Sequence, residues 1–337
     1  MRGFCIAIIA LLLAPALTAL KPDVLRSTGA VPASIAGRFR DATGFQQSAS
    51  GQYFVFDRRS HAVFGVDPAQ SSSWEIIQIG AEAGRIIDPT AFSVAQDGSF
   101  AVADAPRGRE RIQVFTPAGF SLGAFVLPNR PRASVVFGNF VLNGIGSLQY
   151  TGSSILISQP ENGALITEYS LNGSAIRSFG ALRSTGHEDD RELHFALNSG
   201  IPLVDPTGGF VFVFQTGVPA LRKYDATGNL VFERRIEGRE IDDFVDKLPT
   251  RWPTRQTADG EFPVVTPTIR AAAVDASGRV WIAFVVPFTY VYDADGDKTR
   301  AVQLRAAGVV SPNSLFFGKN GRLLVTPGLY EFATDAP

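Results

Sequence analysis

Apolar positions along this chain fall in short runs rich in Val, Ile, Phe and Tyr, broken by Gly beside Asp, Asn, Ser or Thr. Such runs predict strands, and the Gly pairs predict tight turns between them. The order of signals repeats: apolar strand, Gly turn, strand, loop, strand, second turn. Six copies are present, the last cut short before its second turn. The first turns are Ser50-Gly51, Asp97-Gly98, Thr151-Gly152, Thr207-Gly208, Ser277-Gly278 and Asn320-Gly321. The second turns are Asp67-Pro68, Pro117-Ala118-Gly119, Asn172-Gly173, Ala226-Thr227-Gly228 and Asp295-Gly296. In copies two to five the two turns lie 18 to 21 residues apart, the length of two strands and a loop. Runs such as Phe210–Phe214 and Val280–Phe284 have no polar alternation and read as strands buried on both faces.

A meander of about 40 residues cannot bury both of its faces alone and must stack on neighbours. The expected fold is therefore all-β: a six-bladed β-propeller of four-stranded antiparallel blades. The expected blades are 41–84, 88–127, 142–181, 197–237, 268–306 and 312–335, within one domain spanning 31–337. The last copy lacks an outermost strand. Residues 34–40, Ser-Ile-Ala-Gly-Arg-Phe-Arg, are expected to supply it and close the ring.

The second copy carries Asp97-Gly98, Val102-Ala103-Asp104, Arg111-Ile112-Gln113-Val114-Phe115 and Gly119. On these residues it resembles the NHL repeat, and the chain as a whole is similar in architecture to NHL-like, TolB-like and gluconolactonase-like propellers. The resemblance implies that Arg111 braces its blade. The other copies keep the strand rhythm but lose the Asp/Arg pair.

Composition narrows the chemistry. The single Cys and single Met are Cys5 and Met1. Arg2 followed by the apolar run Phe4–Leu13 and small residues near Ala14, Ala16 and Ala19 reads as a signal peptide over residues 1–19. This run is too short to span a membrane, and no later segment replaces it. A chain cleaved there has no thiol for a disulfide, a thiolate metal site or nucleophilic catalysis. The expected location is periplasmic or secreted. A formal charge of -1 lacks the basic excess of nucleic-acid binders. A monomer with no membrane span is expected.

The Gly turns occupy one face, so the remaining loops open on the other. Two of these are long, 182–195 and 237–266, and long loops on a rigid scaffold are where binding concentrates. Candidate ligand-binding residues on that face are Arg58, Arg59, His61, Arg85, Arg107 and Arg109 from the first two blades, with Arg251 and Trp252 from the second long loop. The arginines suit an anionic ligand. The reading set ahead of that one is local ion pairs with Asp57, Glu82, Asp104 and Glu110, since surface charges commonly pair without consequence. The segment His187, Glu188, Asp189, Asp190, His194 is rich in ligand atoms but matches no rigid metal spacing.

Counting back from each first-turn glycine reaches Asp41, Asp88, Asn143, Asn198, Thr268 and Asn313, before the innermost strand of each blade. Oxygen ligands from Asp41, Asp88, Asn143, Asn198 and Asn313 at a channel mouth can hold Ca²⁺ or another divalent cation. Gluconolactonase-class propellers place a metal in this general region, although no glutamate stands at the matching positions here. The competing reading is that Asn, Asp and Thr bond to nearby backbone where a loop enters a strand. The leading functional expectation is a non-catalytic propeller, without cofactor, that binds a protein, peptide or glycan. The alternative is a metal-dependent hydrolase or lactonase. Mass spectrometry of the exported protein is expected to find a new N-terminus between Ala16 and Lys21.

Overall fold

The structure, a computed structural model, describes residues 22–127, 135–137, 140–142, 146–257 and 260–334. The expected signal segment and Asn143 lie outside the described residues. Four separate four-stranded antiparallel sheets are present. Blade one comprises Ala42–Gln47, Tyr53–Asp57, Ala62–Val66 and Ser73–Ile77; blade two comprises Ala91–Val94, Phe100–Asp104, Arg111–Phe115 and Ser121–Val126. Blade three runs through Leu148–Tyr150, Ser154–Ser158, Ile166–Ser170 and Ala175–Phe179, and blade four through Gly200–Val204, Phe210–Phe214, Ala220–Tyr224 and Leu230–Arg235. A nine-stranded sheet holds the rest. Blade five is Ile269–Val274, Val280–Phe284, Thr289–Tyr292 and Lys298–Arg305; blade six begins with Ser314–Phe317, Leu323–Thr326 and Tyr330–Phe332.

The strand Asp23–Ala30 joins these two blades. Its first half runs parallel to blade five, with Asp23 opposite Val302 and Arg26 opposite Arg305. Its second half runs antiparallel to Tyr330–Phe332 and supplies the outermost strand of blade six. An N-terminal strand therefore closes the ring, but it is not 34–40. Ala33–Ala36 forms a short helix whose Ile35 is buried in the core between blades six and one. Apolar runs mark the other strands in the sequence. An outermost strand has little to bury, and Asp23–Ala30 is mostly exposed, so no such pattern marks it.

Among the described residues the core of the ring has six parts, each shared by consecutive blades. Phe54, Phe56, Phe92 and Phe100 fill the space between blades one and two, and Ala101, Ile112, Tyr150 and Ile155 that between two and three. Leu156 and Phe212 mark the next interface, then Val213 and Ile282, then Trp281 and Leu323. Phe45, Tyr53 and Leu324 complete the circuit between blades six and one. The second strand of each blade thus presents apolar side chains to both neighbours, which is why those runs lack alternation.

The second-turn glycines serve the same packing. Gly173 has φ 86°. A Cβ there would stand 2.6 Å from the Phe125 ring of the preceding blade. Gly296 stands in the same way against Phe232. Both features require glycine.

At the seam between blades six and one, Glu331 is buried and accepts hydrogen bonds from Tyr53 Oη at 2.7 Å, Gln70 Nε2 at 2.6 Å and Arg322 Nη1 at 2.6 Å. Burial, and then the neighbouring carboxylate, raise the Tyr53 phenol above its ordinary pKa. The Arg322 side chain is half exposed, so the ion pair itself adds little. Glu331→Ala strands the buried Tyr53 hydroxyl and the Gln70 amide. The expected cost is about 2 kcal/mol. Urea unfolding should show a lower midpoint with an unchanged slope.

Candidate functional site

Within each blade, the turns after the first and third strands lie on one face. The loops after the second strand and the links between blades lie on the other. On this second face the six first strands surround a cavity of about 600 Å³. Each contributes to its wall: Gly44, Ala91, Leu148, Ile201, Ala272 and Leu315. Its rim is polar, with Asp41, Arg58, Gln215, Arg270 and Asn313. Thr43, Gln46, Thr90, Ser147 and Ser314 add polar groups to the wall, so the cavity mixes apolar and hydrogen-bonding surface.

Of the eight expected ligand-binding residues, only Arg58 lines this cavity. Its Nη2 lies 3.4 Å from Asp41 Oδ2. His61 Nδ1 accepts a hydrogen bond from the Asp88 amide, and its Nε2 is 3.9 Å from Asp88 Oδ1. This latch joins the blade-one loop to the link that follows. Arg85 pairs with Glu82 at 3.1 Å. Arg59, Arg107 and Arg109 are exposed on the loops of blades one and two. Arg251 is exposed, and Trp252 packs on the buried cluster of Leu193, Ala196, Leu197 and Val265. The expected set does not converge on one point.

Arg111 braces blade two. Its Nη2 lies 2.6 Å from Asp104 Oδ2, its Nε bonds Asp104 Oδ1 at 2.9 Å, and it donates to the Ala81 and Arg85 carbonyls. In blade one Asp57 occupies the same place at the end of the second strand. Its carboxylate accepts from the Arg40 and Asp41 amides and from Ser60, not from an arginine. Both aspartates tie an incoming link to the loop beside the channel.

The expected oxygen ring is only partly assembled. Asp41 and Asn313 reach the cavity, but Asp88 belongs to the His61 latch. Asn198 is buried, accepting from the Arg183 amide at 2.9 Å and donating to the Arg183 and His194 carbonyls. Thr268 Oγ1 donates to the Gln215 carbonyl. Local bonding to backbone is thus realised at Asn198 and Thr268. Among the described residues, no three His, Cys, Asp or Glu side chains gather closely enough to hold a metal ion.

Three consecutive links carry inserted elements. The link from blade two to three contains the hairpin Val135–Phe137 and Phe140–Leu142, which is separate from blade three. The next contains the helix Arg191–Leu197, N-capped by Asp190. The third contains the helix Arg239–Val245 and the hairpin Thr254–Thr257 and Gly260–Pro263. That second hairpin touches both the first hairpin and the helix Arg191–Leu197. The inserts therefore support one another on one side of the face. Arg183 anchors them: it donates to the Leu197, Thr216 and Val218 carbonyls and lies 4.1 Å from the Phe214 ring centre. Burial, with Arg222 nearby, lowers its pKa to about 10.

Sequence reasoning missed Arg270, Gln215 and the first hairpin. The signals were a lone charge in the inner strand Ile269–Val274, beside three alanines, and Gly138-Asn139 between two apolar runs.

No protein-family model matches this chain, and no curated protein matches it. Its fold is similar to several solved structures. Virginiamycin B lyase from Staphylococcus aureus is 13% identical with a TM-score of 0.50, over 85% of this chain and 77% of that one. A Kuenenia stuttgartiensis hydrazine synthase chain gives 12% and 0.49, over 88% and 97% respectively. A streptogramin B lyase gives 13% and 0.48, over 86% and 91%. The first of these likenesses concerns the fold, a β-propeller.

The acidic segment is organised by Glu188. Its Oε1 accepts from Ser184 Oγ at 2.7 Å and the Thr185 amide at 2.8 Å, and these bonds lower its pKa to about 2. A folded-state pKa below the unfolded value makes this contribution complete above pH 4.5 and lost as pH falls toward about 2. Amide exchange at Thr185, compared with Asn198, is expected to accelerate selectively across that window.

Proposed function

We propose that this chain is an exported, non-catalytic propeller that binds a protein, peptide or glycan on its insert-bearing face, with part of the ligand entering the cavity at the channel mouth. The observation that carries this reading is the coincidence of the 600 Å³ cavity with the face that bears all three inserts. The cavity is walled by every blade, and one side of the face is raised by elements added to the four strands of each blade. Such a surface offers a rigid recess beside adaptable contacts.

The NHL-like character of the repeat is supported by the Asp104–Arg111 brace. Metal-dependent hydrolysis or lactone opening is less well supported. Of the candidate oxygen ligands, Asp41 faces Arg58, Asn198 is committed to backbone, and Asn313 accepts from Arg270. Placing a divalent cation at the mouth requires these bonds to break.

Gln215 offers a direct test, because it lines the rim from the end of the second strand of blade four. Gln215→Trp adds a large ring at the mouth without removing a core side chain. Screened against peptide and glycan arrays, the wild-type protein is expected to capture ligands that Gln215→Trp binds about tenfold more weakly, at an unchanged melting temperature. Equal capture by both would overturn the reading.

A further inference from the structure

A second cavity of about 430 Å³ lies beside the first, between blades five and six. The two share Arg270 and Asn313. The second is otherwise walled largely by Val309, Val310, Pro327 and Tyr330, and Val309 is 48% exposed although it is apolar. Together they make a recess that turns outward from the channel mouth, with Arg270 at the bend.

The charge at the bend is unbalanced. The charged residues lining the larger cavity are Asp41, Arg58 and Arg270, and Asp41 faces Arg58. The smaller cavity has Arg270 alone. Several arginines of the blades pair with carboxylates, as Arg111 with Asp104, Arg177 with Glu168 and Arg222 with Glu233, and Arg183 is held by three carbonyls. Arg270 differs. Among the described residues its guanidinium makes one hydrogen bond, Nη1 to Asn313 Oδ1 at 2.9 Å, and no ion pair. A neutral amide holds one edge of the fork, and the rest of the guanidinium is exposed and open to a ligand. Ala271 and Ala272, which follow it, are small and line the larger cavity.

We propose that Arg270 receives the carboxylate of a ligand whose adjoining apolar group lies in the recess against Val309, Val310 and Tyr330. The planar guanidinium matches a carboxylate with two parallel hydrogen bonds, and Asn313 sets its orientation before the ligand arrives. The apolar group covers Val309, whose exposure is otherwise unfavourable. This assignment rests on the binding role proposed for the face and names the chemistry that it recognises. A peptide C-terminus and a non-peptide organic acid share that chemistry.

Calorimetric titration with four probes tests it: acetyl-Val-Phe and 4-phenylbutyrate, each as free acid and as primary amide. At least one acid is expected to bind about tenfold more tightly than its amide, the size of one charge-assisted hydrogen bond. The pair that shows the preference identifies the source, peptide end or simple acid. Arg270→Gln should bring acid and amide within about twofold of each other. Val309→Ser should weaken both by about threefold and keep the preference. Equal binding of acid and amide to the wild type, a preference that survives Arg270→Gln, or no saturation by either acid at millimolar concentration would each overturn the assignment. The array comparison with Gln215→Trp separates the two levels. Array ligands lost in Gln215→Trp, without acid preference at Arg270, leave the face a binding site and remove only the carboxylate; ligands unaffected by Gln215→Trp remove the binding reading itself.

Discussion

A four-stranded blade has two apolar faces and only the adjacent blades to cover them, and every other feature of this molecule follows from satisfying that requirement around a ring. Phe54 and Phe56 need Phe92 and Phe100; Trp281 needs Leu323; and the last blade needs the first. The circuit has no spare face, so it must close. Closure falls to a strand that contributes almost no apolar area. Asp23–Ala30 works through backbone pairing on two sides, parallel to blade five and antiparallel to blade six. Glu331 then locks the seam by tying Tyr53 and Gln70 of blade one to Arg322 of blade six. Loop closure over most of the chain length is entropically costly. A buried polar network at that joint adds specificity where apolar contact alone would tolerate slippage.

The ring also decides where recognition can occur. Tight second turns with glycines such as Gly173 and Gly296 keep one face closely packed against the preceding blade. The opposite face is released from that constraint, and the inserts have accumulated there. They are held together by their own small core, Leu193, Ala196, Leu197 and Val265 with Trp252, and by the Arg183 guanidinium on three carbonyls. Long loops so anchored are surfaces of defined shape. The cavity beside them is walled by the first strands of all six blades and carries Arg58 and Arg270 at its rim.

Much of the architecture was legible in the chain. The six repeats, the order of turns, the doubly buried second strands and the position of the long loops at 182–195 and 237–266 all follow from apolar runs punctuated by glycine. Each of these is a local signal, set by backbone sterics and side-chain burial within a few residues. The brace at Arg111 was legible for the same reason, its partner Asp104 lying on the adjacent strand. The closing strand was not, because it buries little and therefore carries no apolar pattern.

The site was less legible, because position before an inner strand does not specify where a side chain turns. Asn198 and Asn313 occupy corresponding places in their repeats, yet the helix Arg191–Leu197 draws Asn198 into backbone bonds while Asn313 stays at the rim. Arg58, Arg59 and His61 are neighbours in sequence, and only the first reaches the cavity. Arg270 looks like a stray charge in an inner strand until the ring brings it beside Asn313 of the next blade. The sequence by itself determined a ring of stacked meanders with one loop-rich face, since those properties are summed from short-range preferences. Only the tertiary structure decided which polar groups meet across blades and which of them reach the cavity, since partners are set by the stacking of segments far apart in the chain.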